Sequence, residues 1–458
     1  MLTDRIQTLF DEPACAHNRA KDDKTRRAGC GKQLTPGAAA GGCAFDGAKI
    51  VLQPITDCAH LVHGPIACEG NSWDGRHAAS SGPMLYRTGL TTDLSELDVI
   101  YGGEKKLYRA IKEVISRFDP PAVFVYQTCV TALVGDDIVK VCKAASERLN
   151  KPVIPVVSPG FVGKKNLGTK LAGQVLLDYV IGTEEPETVT STDINIIGDY
   201  NVAGELWLVK PLLEKLGIRV LASITGDARY HDITKAHRAR VNIMVCSQAL
   251  LSLARKMEER WGIPYFEGSF YGVSDTSHSL RTLAKMLVER GAPADLIQRT
   301  ETLIAEEEAR VWRKLAPITA RLTGKKVLLY TGGVKSWSVI SALQDAGMIV
   351  IGTSVRKATK GDKERARELL GEGALIFETM PQTEMYGRLK SGEADILLSG
   401  GRTQFVALKA KVPWLDINQE SRDAYAGYEG IVTLIGNIDR AIANPIWSQV
   451  RAPAPWEA

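Results

Sequence analysis

The 458-residue sequence has no CxxC pair, no strong excess of either charge, and no apolar run near the roughly 18 to 20 residues that cross a bilayer. Each absence excludes something. Without CxxC pairs a zinc ribbon is not expected. Without a long apolar run, and with an N-terminus (MLTDRIQTLFDEPAC) that carries no signal-peptide core, the chain is expected to be cytoplasmic and to have no membrane partner. Lysine and arginine number 57 against 53 aspartates and glutamates, which is too even for a nucleic-acid surface but leaves small anionic ligands open. There is no repeat of fixed period, and no GxGxxG or Walker signature, so the TGG loop after KVLLY is a weak phosphate cradle.

What is present is an α/β pattern. Short β-branched runs alternate with helical ones: AVFVYQ before GDDIVKVCKAASERLN, INIIGDY before GELWLVKPLLEKLG, VNIMVC before QALLSLARKMEER, PYFEG before SLRTLAKMLVER, KVLLYTGG before SWSVISALQDAG, then MIVIGTSV, ADILLSGG and PWLDIN. The pattern predicts mostly parallel sheets in three doubly wound, Rossmann-like domains. Residues 1–42, rich in charge, Gly and Ala, are expected to be a mobile arm. Domain I is expected over 43–188, domain II over 189–322 and domain III over 323–458, with boundaries at TEEPETVTSTD and at the charged helix 300–324. Ligands of open α/β sheets sit beyond the carboxyl ends of strands, so residues following each run carry most weight.

Cysteine is absent after position 246, and the eight present are Cys15, Cys30, Cys43, Cys58, Cys68, Cys129, Cys142 and Cys246. In a reducing compartment each has three fates: core packing, metal ligation or catalysis. Cys142 shares a helix face with Ile138, Val141, Ala145 and Leu149 and is expected in the core. Cys58, among Ile55, Ala59 and Val62, is read the same way. His60 and His63, placed at a helix end before Gly64-Pro65, are read as satisfied structural histidines.

Cys43 (GGCAFDG), Cys68 (HGPIACEGNSW) and Cys129 (QTCVTALVGDD) are each expected in a turn. Glycines beside Cys43 let the backbone approach a bulky inorganic group. The separations of 25 and 61 residues are no local cluster fingerprint, so ligation and scattered loop cysteines both stay open. Cys246 ends VNIMV ahead of a helix, where a lowered thiol pKa favours metal binding, against the alternative of a buried strand-end cysteine. Cys15 and Cys30 could hold an incoming cluster transiently or do nothing. His231, Arg238 and Arg240 are read as a surface face, with cluster passage as the alternative.

The segments GGCAFDGAK, HGPIACEGNSW and QTCVTALVGDDI resemble, in the same order, the three cysteine segments of nitrogenase molybdenum-iron protein α-subunits and their cofactor-assembly homologues, and the likeness covers nearly the whole chain. NIMVCSQAL resembles the segment whose cysteine caps one end of the iron-molybdenum cofactor. The resemblance implies that Cys43, Cys68 and Cys129 hold a permanent 4Fe-4S cluster whose fourth cysteine comes from a partner chain, NifN, in an α2β2 heterotetramer. It implies that Cys246 holds an iron-sulfur precursor of the cofactor.

Departures at the cofactor site separate the branches of that family. Where the catalytic subunit has the molybdenum-ligating histidine, VPWLDINQESRD places Asn418, a poor ligand for such a centre. Where it has a paired glutamine and histidine, KKNLGTK places Lys165 and Thr169, so no proton-relay imidazole is present. Lys335 (TGGVKSW) and Arg402 (GGRTQF) match basic residues beside the cofactor and its homocitrate, and could hold carboxylates or lie solvated on loops. DEPACAHN, YTGGVKSWS, DINQE and YAGYEG also resemble the assembly branch.

That branch implies a scaffold with no catalytic residues and at most residual reductase activity. It receives precursor from NifB, matures it with molybdenum and homocitrate delivered by the nitrogenase iron protein NifH, and passes it to the apo-nitrogenase molybdenum-iron protein. The rivals are a catalytic nitrogenase α-subunit, a protochlorophyllide reductase subunit, an assembly homologue for vanadium or iron-only nitrogenase, and an electron-transfer module with only the cubane.

Overall fold

The computed structural model describes residues 42–453 apart from 75–77, 246, 332–333, 356–357, 359, 372 and 419–421. Residues from Ala44 onward form one compact unit, and Met1–Cys43 is assigned to another. The arm with Cys15 and Cys30, and Cys246 itself, lie outside the described residues.

Among the described residues thirteen strands form three sheets, and every strand pairing within them is parallel. The first has the order β2-β1-β3-β4, with β1 Ala59–His63, β2 Leu90–Thr91, β3 Val123–Gln127 and β4 Val153–Val156. The second has the order β6-β5-β7-β8, with β5 Asp193–Ile197, β6 Arg219–Ile224, β7 Val241–Met244 and β8 Tyr265–Glu267. The third has the order β11-β10-β9-β12-β13, with β9 Lys326–Tyr330, β10 Ile349–Ser354, β11 Leu375–Phe377, β12 Ile396–Ser399 and β13 Trp414–Asp416. Helices connect successive strands, because parallel neighbours need a long crossover. The expected α/β class with parallel sheets is therefore what the chain adopts.

Local chemistry explains the helices. In Ile138–Leu149 the Asp137 side chain accepts the Lys140 N–H at 3.0 Å, and Ile138, Val141, Cys142 and Ala145 are buried. The helix stops where Asn150 turns left-handed at φ 49°, a conformation Asn tolerates better than most residues. The first sheet has its own core around Leu61, Ile111, Val125 and Cys142. The second and third sheets share one: Ile196 and Ile243 lie in the same cluster as Leu329, Leu398 and Ile417. Helix Asp295–Leu322 and helix Gly427–Ala443 contribute Leu315 and Leu434 to that cluster, so both pack into the core that the second and third sheets share.

Candidate metal centre

β1 and β3 are neighbours with His63 opposite Gln127, so the chain leaves both strands at the same edge. From β1 it passes through Gly64-Pro65 into helix α1 (Ile66–Asp74), and from β3 through Thr128 into helix α2 (Cys129–Val134). Cys68 and Cys129 thus lie in first helical turns, not in the turns expected from sequence. Pro65 starts one helix, its carbonyl accepting the Cys68 N–H at 3.0 Å. At the other, the Thr131 hydroxyl accepts the Thr128 N–H at 3.2 Å. Both cysteines are half-buried, as is Cys43, which directly precedes helix Ala44–Leu52.

The two connections are fastened together. The His63 carbonyl accepts the Thr128 N–H at 3.3 Å, the Thr128 hydroxyl at 2.9 Å and the Thr131 hydroxyl at 3.2 Å. A Cβ on Gly64 would stand 2.1 Å from Thr128 Oγ1, so only glycine permits this approach. Behind them the fully buried His63 ring lies between Asp136 and Thr92. Burial holds the His63 pKa below its ordinary value, against the pull of Asp136.

A second buried group braces α1. Lys49, on helix Ala44–Leu52, donates to Glu69 and, at 2.9 Å, to Ser72 Oγ. The ion pair has side-chain exposures of 2% and 7%. Burial pushes the Lys49 ammonium pKa down and the Glu69 carboxyl pKa up, and their mutual attraction opposes both shifts. Helix Ala44–Leu52 is itself pressed onto helix Lys165–Tyr179, where a Cβ on Gly168 would come 1.9 Å from the Ala44 carbonyl oxygen. Sequence reasoning passed over Lys49, Glu69, Thr92 and Asp136. The one available signal was a glutamate beside Cys68 in an otherwise uncharged stretch.

Cys58 and Cys142 are fully buried, and burial pushes the Cys142 thiol up to about 12, out of range for easy ligation. The two histidines lie on strand β1, not at a helix end: all five residues of Ala59–His63 are buried and paired with β3, and Leu61 and Val62 pair with β2 on the other side. His60 is bonded to the Tyr126 hydroxyl at 2.8 Å and the Ile55 carbonyl at 3.1 Å, and burial lowers its pKa to about 3. His231, Arg238 and Arg240 bond to Glu184, Glu185 and the Thr190 carbonyl, in the stretch leading to β5.

The cofactor-side residues follow β9, β12 and β13, adjacent in the third sheet. Lys335 lies on helix Val334–Asp345, Arg402 is exposed in the single turn Gly401–Thr403, and Asn418 follows β13. The Asn418 carboxamide oxygen accepts the Thr331 hydroxyl at 2.8 Å, and a Cβ on Gly400 would stand 2.6 Å from its nitrogen. Lys165 Nζ is 3.8 Å from Asp46, and the Thr169 hydroxyl donates to the Asn166 carbonyl at 2.9 Å. Among the described residues no group of three or more His, Cys, Asp or Glu is arranged around one metal ion. A cubane spreads its thiolates over four irons, so its ligands need not converge in that way.

Around α2 several large apolar side chains are exposed. Helix Glu96–Tyr101 packs against α2 and exposes Leu97, Ile100 and Tyr101, the last at 83%. Leu133 on α2 and Ile66 on α1 are exposed as well.

Comparison with known proteins places the chain. The family described as Nitrogenase component 1 type Oxidoreductase matches residues 43–443. A Mesorhizobium japonicum protein, "Nitrogenase iron-molybdenum cofactor biosynthesis protein NifE", is 63% identical over 100% of this chain and 92% of its own length. Proteins of the same name from Bradyrhizobium diazoefficiens and Klebsiella pneumoniae are 62% and 50% identical, covering 99% and 100% of this chain and 83% and 100% of their own lengths. The solved structure "Nitrogenase Cp1 at pH 5" superposes with a TM-score of 0.82 at 29% identity, covering 91% of this chain and 90% of that one. The chain therefore belongs to the nitrogenase component 1 type oxidoreductase family, and within it to the group of NifE proteins.

Proposed function

We propose that the chain is a scaffold subunit for assembly of the nitrogenase iron-molybdenum cofactor. The observation that supports this reading is the similarity, over nearly the full length, to relatives named as nitrogenase iron-molybdenum cofactor biosynthesis proteins. In this reading Cys43, Cys68 and Cys129 hold a 4Fe-4S cluster completed by NifN in a heterotetramer. The donor set fits such a group: three half-buried thiols, two of which follow the adjacent ends of β1 and β3. The cluster supplies electron relay when bound. The chain's own part is to hold the thiols apart at fixed spacing and to exclude water from their buried sides.

The precursor is held at one end by Cys246, with Lys335 and Arg402 offering charge to an anionic cargo and to homocitrate. Asn418 supports a releasing role. Its carboxamide oxygen is already engaged by Thr331, and a carboxamide competes poorly as a metal ligand. A cargo anchored at one end leaves more easily than one anchored at two. In this reading NifB donates the precursor, NifH delivers molybdenum and homocitrate and docks on the apolar face around Tyr101, and the apo-nitrogenase molybdenum-iron protein accepts the product. The three-domain division at 188 and 322 and a cytoplasmic setting belong to the same proposal.

The test is iron and sulfide analysis with electron paramagnetic resonance on the complex with NifN. A cubane signal lost in the Cys43→Ala, Cys68→Ala and Cys129→Ala triple variant is the expected result. Full cubane absorption and stable association in that variant would remove the ligand assignment.

A further inference from the structure

We propose that His63, Asp136 and Thr92 form a buried clamp that sets the separation of Cys68 and Cys129, which makes them positioning residues for the cluster those thiols hold. This rests on the ligand reading above and deepens it. Cys68 lies five residues beyond His63 at the end of β1, and Cys129 two residues beyond Gln127 at the end of β3. What fixes these two strand ends relative to each other fixes where the two helices begin.

The clamp joins both. His63 Nε2 is 3.0 Å from Asp136 Oδ2, and Nδ1 is 3.1 Å from Thr92 Oγ1. A carboxylate only accepts, so Nε2 carries the proton and donates it. Nδ1 then accepts the Thr92 hydroxyl, whose oxygen accepts the Gly64 N–H at 3.1 Å. Thr92 thereby holds the connection that leads to Cys68. Asp136 closes the other side: it follows α2, its Oδ1 accepts the Gly103 N–H at 2.9 Å, and its carbonyl accepts Gln127 Nε2 at 3.2 Å. There is no slack in the packing. A Cβ on Gly103 would stand 2.6 Å from Asp136 Oδ2 and 2.9 Å from His63 Cε1.

On the Thr92 side the tie ends on the Gly64 backbone, in the connection that leads to Cys68; on the Asp136 side it ends on the Gly103 backbone and, through the Asp136 carbonyl, on the Gln127 side chain at the end of β3, two residues before Cys129. Groups that orient metal ligands from behind typically change metal affinity by about 10- to 100-fold when removed. Asp136→Asn is a sharp probe because both carboxylate oxygens accept N–H donors. Whichever way the amide turns, its NH2 faces either the Gly103 N–H, losing that bond, or His63 Nε2, forcing the other tautomer and reversing the direction of the His63–Thr92 bond. Thr92→Val removes the hydroxyl at nearly constant shape, and Thr92→Ser restores it.

The experiment uses the complex with NifN and reads three quantities: the electron paramagnetic resonance spectrum of the reduced cubane, the rate of iron release to a chelator, and the melting temperature. Asp136→Asn and Thr92→Val should shift the spectrum and speed iron release by about tenfold or more, with Thr92→Ser close to the parent. Should Asp136→Asn fail to fold, the Thr92→Val and Thr92→Ser comparison decides. Unchanged spectrum and release in Thr92→Val, with the parent cubane present, would overturn the clamp and leave the ligand reading standing. No cubane in the parent complex would overturn both.

Discussion

Breaking the Lys49–Glu69 pair is the perturbation whose size the structure defines best. With side-chain exposures of 2% and 7%, neither charge can turn to water if its partner is removed. Lys49→Met leaves the Glu69 carboxylate buried with no cation, and Ser72 loses its donor as well. Removing one partner of a buried pair costs about 3 to 5 kcal/mol, whereas replacing both with apolar groups is often neutral or stabilising. At about 1.4 kcal/mol per tenfold, the single change should raise local opening of α1 by about two to three and a half orders of magnitude. Hydrogen exchange of the α1 amides reads that opening directly. Lys49→Met should accelerate exchange strongly, and Lys49→Met with Glu69→Met should bring it back near the parent. Since Glu69 follows Cys68 in the chain, cubane occupancy should fall and recover in the same order. A single variant that exchanges like the parent would refute the buried-pair reasoning, as would a double variant as labile as the sum of its parts.

Three further outcomes are expected. Gly168→Ala would place a methyl 1.9 Å from the Ala44 carbonyl oxygen, so the two helices must separate, and overpacking of this kind costs about 1 to 3 kcal/mol in a thermal or denaturant midpoint. Asp275 is raised from 3.8 to about 6, mainly by burial. Its folded form therefore binds a proton that the unfolded form has released, so its contribution to stability is fully present below about pH 4 and is lost as pH rises to about 6. Two units amount to about 3 kcal/mol, and urea midpoints of the parent relative to Asp275→Asn should show that decline. Asn418→His should slow delivery of finished cofactor to apo-nitrogenase, because an imidazole bond must break before exit. Delivery at the parent rate with precursor held by Cys246 would dismiss the release argument.

Much of the fold was legible because buried parallel strands are runs of Val, Ile and Leu. VFVYQ, DINII, VNIM, KVLLY and ILLS all stand as strands between helices. The strands that escaped notice are mostly at sheet edges: β2 has two residues, β11 has three, β4 contains Pro155, and β6 is only half buried. Proline is tolerated at an edge but argues against a strand when read without a sheet around it. The exception is β1, which is internal. Its two histidines looked polar because their partners, Tyr126, Ile55, Asp136 and Thr92, are remote in sequence.

The site was legible to the level of residue type and no further. That Cys58 and Cys142 belong to the core follows from periodicity, and both are buried. That Cys68 and Cys129 leave adjacent strand ends depends on strand order, which spacing alone does not contain. The groups that hold them, Lys49 with Glu69 and His63 with Asp136, are separated by 20 and 73 residues. Pairings of that kind exist only once the sheet has formed.

The scaffold reading stands or falls on delivery. The complex with NifN, loaded with iron-sulfur precursor and supplied with molybdate, homocitrate, the iron protein and its nucleotide, should activate apo-nitrogenase to acetylene reduction in proportion to the cofactor it loses. Activation that does not depend on the loaded complex, or a complex that keeps its cofactor and reduces acetylene itself at the rate of a nitrogenase, would contradict it.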